Sequence, residues 1–179
     1  MIYSLSTHVI LNTMHALAAV QALACGDGER AILAPMLRRE RTPLQALLVK
    51  NAFVEVVMRL GPLVADTTLG DETATSPGGD AADPEAESLD CLLTVELLTP
   101  ASFSTARHGI VRRALEQSVA LTALSQWCRA ACRASDAKAA GVAASLADGF
   151  ATVATEWYDT LAATLACTLR PCIRPGYPQ

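Results

Sequence analysis

Two apolar stripes of helical spacing, separated by little more than a Ser-Asp pair, constrain this chain more than any other feature. The first runs Ile110, Ala114, Gln117, Leu121, Leu124, Cys128 and Ala131, and the second Val142, Leu146, Phe150, Val153, Trp157, Leu161 and Leu165. Steps of three and four residues put each set on one face of a helix. The spacing predicts a helix from Ser102 or Ser104 to about Arg133, and another opened by Ser135 and Asp136. So short a turn returns the second helix along the first, antiparallel to it. The expected fold is mainly α: a helical bundle with a long antiparallel helical hairpin and a small β-hairpin, in a single domain over 1–179.

The first half carries shorter helical signals. A helix is expected over 6–24, with Gly26 beyond its end in a left-handed conformation. "ERAILAPMLRRE" (29–40) is helical in pattern, but Pro35 should kink or split it. Thr42, Pro43 and Gln45 form a capping-box pattern ahead of Leu44, Leu48, Ala52, Val56 and Leu60, and Gly61-Pro62 ends that run. The opening stretch is also tested as a signal peptide. It has no Lys or Arg at its start, and Thr7, His8, Asn12 and His15 interrupt it, so a cytosolic chain is expected. No uninterrupted apolar run reaches ~18 residues, which argues against a membrane span.

Between the halves the character changes. Eight acidic residues and no basic one lie from Asp66 to Asp90, so the rest of the chain carries +4 against a total of −4. Residues 71–88 have almost nothing large and apolar to bury, and a mobile acidic loop is expected there, with 72–87 dispensable for folding. The loop is flanked by two strand candidates. Residues 63–70 are a possible short strand, and "CLLTVELL" is a clear one, with Cys91, Leu93, Val95 and Leu97 on one face and Leu92, Thr94, Glu96 and Leu98 on the other. The stronger strand needs a partner for its edge, either 63–70 or a neighbouring subunit. The proline-rich tail, 170–179, is expected to be extended.

Catalytic signatures are missing. No glycine-rich loop follows a strand, and no nucleophile elbow occurs. His8, His15 and His108 could supply three metal ligands, but they lack the close spacing and the thiolate or carboxylate partner usual at zinc. Cys128 and Cys132 share a helix face, with Cys167 and Cys172 near a helix end. Helix packing by small buried thiols explains them better than a thiolate site. Neither a cofactor nor a metal is expected. Arg107, Arg112 and Arg113 stand near a helix start, where the dipole disfavours cations. They suit solvent or an acidic partner, and form no concentrated basic face of the kind nucleic acid requires.

From residue 91 onward the order of features resembles a known group. It comprises "LLTVELL", Phe103, a long helix with Ala114 and Leu115, "LSQWCRAA" around Trp127, "SDAKAAGVAASLADGFATVATEW" and a terminal "LRPCIRPGYP". These stretches resemble a family of small uncharacterised proteins encoded in prophage-like structural operons. Arg170 and Arg174 stand where the relatives are more strongly basic. Over 91–178 the resemblance implies a virion-assembly component of head–tail joining, neck or tail-terminator type, cytoplasmic during assembly and then part of the virion. The expectation is therefore a non-enzymatic structural subunit that forms a homo-oligomer and contacts other virion proteins. It has no nucleic-acid specificity and no membrane. Leu92, Leu98, Arg107, Arg112, Arg113, Arg170 and Arg174 are its candidate contact residues. The alternative is a helical module binding a small ligand or metal between its long helices.

Overall fold

Residues 2–6 alternate in polarity, and in the computed structural model they form a strand, β1 (Ile2–Ser6), that the sequence reading leaves unassigned. The structure describes residues 1–38, 42–69, 91–99 and 103–169. The expected acidic loop 71–88 and tail 170–179 lie outside the described residues. Ser6 ends β1 and caps α1 (Thr7–Ala24), accepting from the Val9 N–H at 3.4 Å. Gly26 departs from expectation. Its φ is −71°, and it caps α2 (Asp27–Leu33) instead of closing α1 in a left-handed turn, while Glu29 accepts from its N–H at 2.9 Å. Pro35 splits the next run as expected: α2 gives way to a 3₁₀ turn, Ala34–Leu37.

The helix α3 (Thr42–Leu60) follows. Its Gln45 is buried and bonded elsewhere, donating to the Met36 carbonyl and meeting His15 Nε2 at 2.9 Å. Tertiary partners thus take the side chain that the capping box assigned to the helix start. Gly61 adopts φ +47° and turns the chain through Gly61–Leu63 into β2 (Val64–Leu69).

The sheet orders its strands β1-β3-β2, with β3 (Leu92–Leu97) central and antiparallel to both neighbours. Of the two partners expected for the stronger strand, residues 64–69 pair with it, and β1 closes the other edge. An open edge at 91–98, available to a neighbouring subunit, does not exist. Tyr3, Leu5, Leu93, Val95 and Leu97 point into the core, while Ile2, Ser4 and Leu92 point outward. Thr7 Oγ1 donates to the Cys91 carbonyl at 2.7 Å and ties the start of β3 to the start of α1.

The long pair is α4 (Thr105–Ala134) and α5 (Ala137–Leu169). Their turn is built from the two residues that predicted it. Ser135 Oγ donates to the Ala131 carbonyl at 2.8 Å, and Asp136 Oδ1 accepts from the Ala139 N–H at 2.9 Å. Each thus satisfies an otherwise unpaired helix-end group. The two helices pack antiparallel over much of their length.

Burial differs from the stripe picture in one respect. The helix α4 is central, flanked by α1, α3 and α5, and all eight residues from Ser118 to Ser125 are buried. A helix enclosed on all sides buries its whole circumference, not one stripe. Ile110, placed on the stripe, is exposed, and so is Val153, while Trp157 is half-buried. On α5 the buried seam includes Ala143, Ala147, Phe150, Ala154, Leu161 and Leu165. Three of these six are alanines, which let the two backbones approach closely. Larger neighbours such as Val153 and Trp157 are displaced to the margins.

Two substitutions test the central position of α4. Leu124 is fully buried, and Leu124→Ala should cost about 2–5 kcal/mol in urea unfolding. Ser118 carries a buried hydroxyl with no hydrogen-bond partner. Ser118→Ala removes an uncompensated polar group and adds helix propensity, so it should raise stability by about 1 kcal/mol.

Candidate functional site

Among the described residues, the interaction residues predicted from the sequence do not converge. Leu92 and Leu98 are about half-exposed at opposite ends of β3, beside Ser6 and Leu63 respectively. Arg107, Arg112 and Arg113 are exposed on the first turns of α4. At 100° per residue they leave that helix in three directions. Arg112 pairs with Glu116 of its own helix at 3.0 Å, so it is already partly neutralised. Arg170 and Arg174 lie outside the described residues. The three histidines separate as well. His15 bonds Gln45, and His108 Nδ1 lies 2.9 Å from the Tyr3 hydroxyl under the Phe103 ring, while His8 is exposed on the first turn of α1. Among the described residues no three His, Cys, Asp or Glu side chains gather around a common point.

The cysteines are equally dispersed. Cys25, Cys91, Cys128 and Cys132 are free thiols. Burial pushes the Cys128 thiol up to about 12, which keeps it protonated and poor as a nucleophile or ligand. The side chains of Cys167 and Cys172 lie outside the described residues.

Among the described residues, concavities open between the helices, and two of them bear on function. The larger, a cavity of about 680 Å³, opens where the α4–α5 turn faces α2 and the start of α3. Trp127 forms part of its wall, positioned by its Nε1–H donating to the Ile32 carbonyl at 3.3 Å. Ile32, Leu44, Leu48 and Val142 line the apolar part, and Ser135, Asp136 and Lys138 bring polarity to one side. Gly28 sits in the same wall, where an added Cβ would be 4.0 Å from Val142. The volume is in the range of small-molecule pockets, and the mixture of apolar walls with a few polar groups is their usual chemistry.

The smaller concavity, about 280 Å³, lies between α3 and α5 over the face of α4 that carries Thr122, Ser125, Gln126 and Arg129. Most of its hydrogen-bonding capacity is engaged within the protein. Ser125 donates to the Ala147 carbonyl at 2.9 Å, Thr155 to the Ala151 carbonyl at 2.9 Å, and Gln126 Nε2 to Glu55 at 3.0 Å. The Arg59 guanidinium stacks over the Tyr158 ring at 4.8 Å. This depression reads as a satisfied polar seam between helices.

Sequence reasoning identifies Trp127 only as a landmark and misses the cavity around it. A pocket assembled from three separate segments leaves no spacing signal. The role of Tyr3 was findable, because Tyr3 and Leu5 alternate with polar neighbours in the pattern of a half-buried strand.

The chain matches no protein-family model, no curated protein and no solved structure at a significant level.

The state of Cys128 makes a measurable prediction. In the folded protein at pH 8, maleimide should modify the half-buried Cys25 and Cys132 and spare Cys128, as read by mass spectrometry of peptides. The folded thiol titrates above the unfolded one, whose ordinary value is 9.0. Its contribution to stability is therefore intact below pH 9 and lost as the pH rises through about 12. The loss should approach about 1.4 kcal/mol per pH unit and disappear in Cys128→Ala.

Proposed function

We propose that the chain is a non-enzymatic assembly subunit of a phage-like virion, of head–tail joining, neck or tail-terminator type. It works by repeating around a symmetric axis and contacting other virion proteins, first in the cytoplasm and then in the particle. The resemblance over residues 91–178 supports this reading, and one structural observation carries it. Beyond Val64, β2 is exposed along its length. Thr67 and Leu69 pair with the buried Val95 and Leu93, so they face the core side of the sheet, yet both are exposed. Asp66 and Thr68, on the other side, are exposed too. A strand bare on both faces, at the edge of a small sheet, gains burial by meeting another subunit. The outer face of the sheet adds exposed Leu92 on the central strand and Ile2 on the far edge strand.

A second reading has its own observation. The 680 Å³ cavity beside Trp127 suits a module that binds a small apolar ligand.

Light scattering of the purified full chain over a concentration series separates the two. The assembly reading expects the mean mass to rise with concentration, and expects Leu69→Lys or Leu92→Lys to reduce that rise. It also expects co-sedimentation with recombinant phage head–tail proteins. A chain that stays monomeric, binds none of those proteins and enhances the fluorescence of an apolar dye at one site per chain would favour the ligand-binding module. Widening Val142 to Trp, which fills the cavity, should then abolish dye uptake.

A further inference from the structure

The helix α1 contains no Asp, Glu, Lys or Arg in its 18 residues, although half of its circumference faces outward. Exposed helical faces are ordinarily charged or polar. This face instead carries Val9, Thr13, Ala16, Val20 and Leu23, at steps of four, three, four and three. Val20 is 66% exposed and Leu23 83%. The core side of the same helix is supplied separately, by Ile10, Leu11, Met14, Ala18 and Ala22. The outward residues are therefore a second, largely apolar stripe that includes the uncharged Thr13, with the uncharged Asn12 at its side, left uncovered by the described residues.

The neighbouring α3 repeats the pattern. It packs against α1, with the His15–Gln45 bond between them, and both rest on α4. Its outward residues Leu47, Asn51, Val54 and Met58 again step by four, three and four, and Met58 is 75% exposed. Charges flank this stripe without entering it: Lys50 stands at one margin, and Glu55 and Arg59 at the other. Two adjacent helices thus present uncharged seams with the spacing that packs one helix into another.

We infer that these outward faces of α1 and α3 bind the same faces of a second copy of the chain, forming a two-fold symmetric helical pair. Four considerations select that occupant. Stripes of 3.5-residue period are complementary to stripes of the same period, so a two-fold axis brings each seam onto its counterpart. A copy presents a face equally free of charge, so pairing strips no ion of water and opposes no like charges, although each chain carries −4. An 18-residue helix is about 27 Å long and α1 alone offers a strip about 10 Å wide. Adding α3 brings the footprint to roughly 600 Å², near the ~800 Å² per partner of a standard interface. The remaining parts of the chain are unsuitable as a cover. Residues 70–90 bring seven carboxylates and a single large apolar side chain, Leu89, while the tail from Arg170 brings two arginines and only Ile173 and Tyr177.

A lipid surface fits less well. Helices that lie on membranes carry Lys or Arg along the polar face, and α1 has neither. The pairing goes beyond the assembly reading, because it needs only a second copy and uses a surface separate from β2. Helical pairs of one subunit could still join β-linked rings of others.

Sedimentation velocity of the full chain over a dilution series tests the inference with two independent double variants. Val20→Lys/Leu23→Lys acts on α1 and Leu47→Lys/Met58→Lys on α3. All four positions are exposed, and Lys has good helix propensity, so the monomer should keep its circular dichroism spectrum and thermal midpoint. The wild type should show a reversible dimer, and each variant should weaken it by at least about tenfold. A wild type that remains monomeric throughout, or variants that fold normally and pair as tightly as the wild type, would overturn the inference. Leu69→Lys separates the two surfaces. Self-association lost in Leu69→Lys and unchanged in both helix variants places all contact at the strand and rejects the helical pair, leaving the assembly reading standing. Pairing lost only in the helix variants, with no binding of virion proteins, does the reverse.

Discussion

Enclosure of the middle of α4, Ser118 to Ser125, is the constraint from which the rest of the architecture follows. A helix without a solvent face can carry few charges in its middle, and Ser118 to Ser125 contains none. Its neighbours must then supply apolar surface from several directions, which α1, α3 and α5 do, with β1 touching its start. Alanine makes this possible at close range. Ala114, Ala120 and Ala123 on α4 are fully buried, and three of the buried residues of α5 are alanines too; small side chains of this kind let helix backbones pack closely. The few hydroxyls carried inside are handled locally, as Ser125 shows by bonding the Ala147 carbonyl across the helix pair. Ser118 is left with no such partner.

Because α4 takes the centre, the remaining elements are one layer deep and each retains an outward face. For α5 that face carries Asp148, Glu156 and Asp159, as a solvated surface should. For α1 it is uncharged, and for β2 both faces are bare. The seam of α3 beside α1 is uncharged as well, and the helical and strand surfaces differ in chemistry. One offers apolar side chains in helical register, and the other offers backbone and side chains of an edge strand. A subunit that must both pair and repeat needs two dissimilar surfaces, since a two-fold contact alone closes on itself. The cavity beside Trp127 is of a third kind, enclosed by the α4–α5 turn and small enough for a ligand.

Legibility varied with how far apart the deciding residues are. The α4–α5 turn was readable because Ser135 and Asp136 act on groups within four residues. Pro35 split its helix for the same local reason. Gln45 was misread because His15 and the Met36 carbonyl, brought near by the fold, compete for its amide. Gly26 was misread because a second helix begins immediately after the first, which makes it a start and not an end. The third strand went unassigned because five residues carry little pattern by themselves, and their partner lies 90 positions away, as Ser4 opposite Thr94 illustrates. The cavity and the apolar outward faces left still weaker traces. An apolar stripe reads identically whether it meets its own chain or another.

By itself the sequence determined the local elements: the helical spans, the antiparallel turn and the central strand, all set by spacing and by hydrogen bonds within a few residues. It also determined that residues 71–88 bring charge and little that can be buried. Only the tertiary structure decided that α4 is central, that β1 completes the sheet, that β2 beyond Val64 is exposed on both faces and that the α1 stripe remains outside. Each of those depends on which surfaces compete for the same core. A residue's periodicity states that it can be buried, and the arrangement of distant neighbours determines whether it is.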